Sequence, residues 1–200
     1  MGDEPGKDRV PVHPVPVEVS ATDDQVPDFQ PWLDRIKEVV DPSETPFLTG
    51  LSRWLEVKWS NSKSEFLGVT RFELNPNELM RRRRMGAPSG PVLIELNPIL
   101  VEDQALLNHT FVHELLHAVG FTEHDVRHSE LTERLAPAPS LSNSPVLQRL
   151  RSAVIVGQDV QGWICGNCGN KWKRSTVSRP KRCPNCARAD VNPYDGSFKG

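Results

Sequence analysis

The sequence predicts an α+β fold, a small three-stranded sheet with helices followed by a compact cysteine-bound module. Three observations predict it. Short runs that alternate apolar and polar residues lie among longer stretches with helical periodicity. One helical stretch, "HTFVHELLHAVGFTEHDVRH" (residues 109–128), holds five of the six histidines. Near the C-terminus, four cysteines form two Cys-x-x-Cys pairs.

The elements follow in order. Residues 1–31 contain six prolines, several acids and scattered valines without a persistent period, and read as a disordered Pro-rich arm. "PWLDRIKEVV" places Trp32, Leu33, Ile36, Val39 and Val40 on one helical stripe, which Pro42 ends. "RWLEVKWS" alternates Leu55, Val57 and Trp59 against Glu56 and Lys58, as a strand does. "EFLGVTRFEL" supplies a second strand, Phe66 to Leu74, and Val92 to Leu96 a third. Between them, Arg81 to Arg84 read as an exposed basic loop. A helix is expected from about Glu102 to Val119, capped by Gly120, and a second from about Asp125 to Leu135. After the loop "APAPSLSNSP", residues 146–156 suit a further helix. From Gly162 the composition turns to Cys, Gly, Trp and basic residues, a second module.

Composition excludes some functions. A net charge of −2 and a pI near 6.3 give no global pull toward nucleic acid, so any basic footprint is local. No run of eighteen apolar residues suggests a membrane span. The acidic N-terminus lacks an apolar signal segment, and paired cysteines without a signal point to metal rather than disulfides. An intracellular, unsecreted protein is expected, cytoplasmic or in the nucleoid or nucleus.

The histidines carry the first chemistry. In His113-Glu114-Leu115-Leu116-His117 the two imidazoles lie one helical turn apart on nearly the same face, where they can share one zinc ion. Glu114 is placed to take the proton of a water activated there. A catalytic zinc needs a third protein ligand. His124 is favoured by its tether length and its position after the Gly120 turn; His128, one turn further on, is the alternative. Glu123 stands where the metzincin spacing His-Glu-x-x-His-x-x-Gly-x-x-His would place its last histidine, and offers an oxygen. His109 reads as a supporting residue, and His13 lies in the arm.

The cysteines carry the second. Cys165 and Cys168, then Cys183 and Cys186, are two knuckles separated by fourteen residues, the spacing of a four-thiolate zinc ribbon built on one hairpin. Such a closed site is structural. Between the knuckles lie Lys171, Lys173, Arg174, Arg179, Lys181 and Arg182, with Trp172 among them. Basic side chains contact phosphates and an exposed aromatic stacks on an unpaired base, so these seven residues are the candidate nucleic-acid surface.

From about Trp32 to Val191 the sequence resembles the SprT-like zinc metalloproteases, the family that includes Spartan. "VLIELNPILV" resembles its strand-to-helix segment, "HTFVHELLHAVGF" its active-site helix, "HDVRHSEL" its third-ligand segment, and "GWICGNCGNKWKRS" with "KRCPNC" its C-terminal four-cysteine module. Three departures stand out: Asp125 replaces the usual glycine after the third histidine, His128 stands where an aromatic residue is usual, and the connection from His117 to His124 is short compared with Spartan's. The resemblance implies an arm at 1–31, a metalloprotease domain at 32–158, and a zinc ribbon with tail at 159–200. It implies His113, His117 and His124 as ligands of a catalytic zinc, Glu114 as general base, and a second, structural zinc. It further implies protein substrates bound or crosslinked to DNA, and activation by DNA, single-stranded in particular. Two other readings use the same residues: a DNA-binding scaffold with a vestigial protease site, and a general peptidase indifferent to DNA.

Overall fold

The computed structural model describes residues 19, 21–61, 64, 66–156, 160–176 and 178–194. Among these the chain is α+β, with five α-helices and two three-stranded sheets. It divides into two compact units, Pro16–Val146 and a second that takes in Leu147 onward. No described helix is long and apolar enough to cross a membrane.

In the first unit, α1 (Gln30–Val39) buries Leu33 and Ile36 of its predicted stripe. Strands β1 (Leu55–Trp59), β2 (Gly68–Phe72) and β3 (Val92–Leu96) form a sheet in the order β1-β3-β2. β1 runs parallel to β3 and β2 antiparallel to it. The central strand is buried at Val92, Ile94 and Leu96 and half-buried between them, the period-2 pattern of a strand with one covered face. The second strand is shorter than expected, five residues bounded by a bend on each side. Of the expected arm, residues 1–18 and 20 lie outside the described residues. Asp23–Gln25 form a short 3-10 turn, and the indole N–H of Trp59 donates to the Thr22 carbonyl at 2.9 Å.

The arginine run is not a loop. Arg81–Arg84 lie in α2 (Pro76–Met85). Asn75 caps this helix by accepting from the Glu78 N–H, Pro76 opens it, and Gly86 closes it in the left-handed conformation. Glu78 pairs with Arg81 at i+3 and Arg82 at i+4, which offsets the repulsion that four adjacent cations would bring.

A 3-10 turn, Pro98–Glu102, leads into α3 (Gln104–Val119), whose N-cap is Asp103. Eleven of its sixteen residues are buried, among them Leu106, Leu107, Thr110, Phe111 and Leu115 of its apolar side. α4 (Val126–Leu135) begins at the Asp125 cap. α5 (Pro145–Val156) contains the boundary between the units. The second unit holds β4 (Gly162–Cys165), β5 (Lys171–Lys173) and β6 (Val191–Tyr194), antiparallel in the order β5-β4-β6. β6 has no counterpart among the elements expected from sequence; it contains Pro193, and at the sheet edge a proline costs no ladder bond.

Candidate metal centre and four-cysteine cluster

α3 seats His113 and His117 one turn apart, and the chain beyond it brings the third histidine back. Gly120 makes this return possible. Its φ is +126°, and a Cβ there would stand 2.7 Å from Pro46 Cδ. The Gly120 and Phe121 N–H groups close the helix end onto the His117 and Leu116 carbonyls. The Phe121 carbonyl then lies 2.5 Å from Nδ1 of His117. A carbonyl can only accept, so Nδ1 carries the proton and the neutral ring presents its Nε2 lone pair. His124 Nε2 lies 3.0 Å from His113 Nε2 and 3.1 Å from His117 Nε2. Tetrahedral ligands at about 2.0 Å from a zinc ion would stand roughly 3.3 Å apart, so the triad is close to a ligating geometry.

The protonation states suit ligation. Burial, then the neighbouring His128, His117 and His124, hold the His113 imidazole down at about 3. Burial lowers His117 to about 4 despite its bond to Phe121. Both rings are neutral, the form that binds metals, at neutral pH.

Glu114, His128, Glu123 and His109, the other residues singled out in the sequence, lie outside this group of three. Glu114 is 7% exposed, and the Thr70 hydroxyl of β2 donates to its carboxylate at 2.8 Å. His128 is 1% exposed; it stacks on His117 with ring centroids 4.5 Å apart, and its Nε2 donates to the His113 carbonyl at 3.3 Å. It thus backs the triad from behind, and His113, His117 and His124 form the group within mutual ligand distance. Glu123 is exposed. His109 donates from Nδ1 to the Ala136 carbonyl at 2.8 Å and supports the packing of the loop after α4.

Cys165, Cys168, Cys183 and Cys186 converge in the second unit and are free thiols. Cys165 Sγ lies 3.6 Å from Cys186 Sγ, and Cys168 Sγ 3.7 Å from Cys183 Sγ. A disulfide needs about 2.05 Å. Thiolates at about 2.3 Å from a tetrahedral ion stand roughly 3.8 Å apart, which these spacings fit. The two knuckles are near-copies. Asn167 donates to Cys186 Sγ and Asn185 to Cys168 Sγ, at 3.6 and 3.7 Å. Gly169 and Ala187 follow the knuckles with φ of +66° and +57°. The N–H of Asn170, with the Asn185 amide, lowers the Cys168 thiol, while Cys165 beside it is pushed up.

The basic residues are spread around this cluster. Lys171 and Lys173 are exposed on β5, and Lys171 lies over the Tyr194 ring, 4.4 Å from its centroid. Trp172 pairs across the sheet with buried Trp163, on the opposite face from the two lysines. Arg174 lies over the Trp163 ring at 5.5 Å. Arg179 and Arg182 reach the Val191 and Ala187 carbonyls, and Lys181 is exposed. The sequence reading missed Tyr194, which shares a face with Lys171 and Lys173, and it missed Gly68 and Thr70 beside Glu114. Only the strand pairing reveals these neighbours.

No protein-family model matches the chain, and no curated protein matches it.

Proposed function

We propose that the chain is a zinc-dependent endopeptidase of the SprT-like kind, which cleaves proteins bound or crosslinked to DNA and is stimulated by DNA. The observation that carries this reading is the convergence of three imidazole Nε2 atoms, two from α3 and one from the return after it, with a buried glutamate between the first two in the sequence of α3. His113, His117 and His124 would hold the ion. Zinc, when bound, supplies a Lewis acid that polarises a peptide carbonyl and lowers the pKa of a water. Glu114 takes the proton of the attacking water and returns it to the departing amine. A second zinc on the four cysteines holds the C-terminal unit together. The basic residues around that cluster, with Tyr194, support contact with single-stranded DNA. The free thiols support a reducing, intracellular setting.

The test is cleavage of a DNA-binding protein, and self-cleavage, by the zinc-loaded chain with and without single-stranded DNA. Glu114→Gln should keep its zinc and lose about 10²–10⁴-fold in rate. Equal cutting with and without DNA would point to a general peptidase. DNA binding with no cutting by either protein would point to a scaffold with a vestigial site.

A further inference from the structure

We infer that Thr70 is a positioning residue for Glu114, and that Gly68 is the opening that admits the glutamate side chain. The inference rests on the peptidase reading, because it assigns Glu114 a reaction to perform. Gly68 and Thr70 are two apart on β2 and so share a face, opposite Leu96 and Ile94 of β3. That face packs on α3. The Thr70 hydroxyl lies 2.8 Å from the Glu114 backbone carbonyl and 2.8 Å from its Oε2. Both contacts are to one residue. The hydroxyl's one proton is shared between these two oxygens, which holds the end of the side chain beside its own backbone on the strand.

A glutamate side chain has three rotatable bonds, and a base must meet its proton within hydrogen-bond reach. Holding the carboxylate in advance removes that search from the reaction. Gly68 supplies the room. A Cβ there would stand 2.8 Å from Glu114 Cγ and 3.0 Å from Oε1, so any other residue would displace the carboxylate. The same Cβ would lie 2.8 Å from Thr110 Cγ2, so the helix could not simply shift past it. "Gly-Val-Thr" on β2 is therefore shaped around one glutamate on another element.

The experiment uses the full zinc-loaded chain with Thr70→Val, which keeps the shape, and Thr70→Ser, which keeps the hydroxyl. Two readouts are taken: kcat and KM on a protein substrate, and NMR three-bond couplings of the Glu114 side chain, assigned with Glu114→Gln. Thr70→Val should lower kcat by about 10–100-fold and leave KM within about twofold, with couplings averaged over several rotamers. Thr70→Ser should restore both readouts to near wild type. A Thr70→Val protein that holds its zinc and keeps single-rotamer couplings and wild-type kcat overturns the inference. A wild-type chain that cuts no better than Glu114→Gln sinks the peptidase reading instead, and the couplings still decide the role of Thr70.

Discussion

His113 and His117 hold their protons less tightly in the folded chain than in the unfolded one. Their folded values are about 3 and 4, chiefly through burial, against about 6.5 when exposed. Above about pH 6.5 both states are neutral and folding is unaffected. As pH falls below that, the unfolded chain takes up protons that the folded chain refuses, and stability declines until pH passes about 4 and then 3. Metal-free protein should therefore show a melting temperature that falls between pH 7 and pH 4. Replacing His113 with Gln should flatten that fall, as measured by circular dichroism. Much of the site was legible at this scale. His113, Glu114 and His117 were singled out by the His-Glu-x-x-His spacing on a helix, and His124 by a short tether after a glycine. Thr70 was not legible, because it comes from a strand 44 residues away and bears no motif of its own.

Among elements, α3 is framed by an acidic cap at one end and a glycine at the other. Asp103 accepts from the Leu106 N–H and also from the hydroxyl of buried Ser144, tying the segment before α5 to the start of the helix. Gly120 ends the helix in a conformation that side chains rarely adopt, against Pro46. Gly120→Ala should cost about 1–3 kcal/mol in denaturant unfolding, and the displaced turn should weaken metal retention by His124. Sequence periodicity placed the helices and the third strand well, because each presents one apolar face. It failed at α2, where polar residues cover nearly the whole helix and no stripe exists. There the cue was at the ends: Asn75-Pro76, Glu78 three residues after the cap, and Gly86. It also missed β6, an edge strand containing proline whose place is set by pairing with β4.

Over the whole molecule, a net charge of −2 conceals a division. From Leu147 to Tyr194 there are nine Lys and Arg against two Asp; before Leu147 there are fourteen against twenty-three Asp and Glu. A polyanion would therefore meet attraction from one part of the chain and repulsion from the other. The proposed binding of single-stranded DNA should weaken steeply with salt. Lys171→Ala and Lys173→Ala should each reduce the slope of log affinity against log salt by about 0.7, measured by fluorescence anisotropy. The two candidate metal sites also differ in access. His124 lies open to solvent, whereas Cys165 and Cys183 are 1% and 2% exposed, leaving Cys168 and Cys186 outermost. Three nitrogens with an open side release an ion sooner than four sulfurs half sealed from water. Under the proposed reading, then, scarcity of metal would cost the chain its chemistry before its architecture, and activity would return with the ion without refolding.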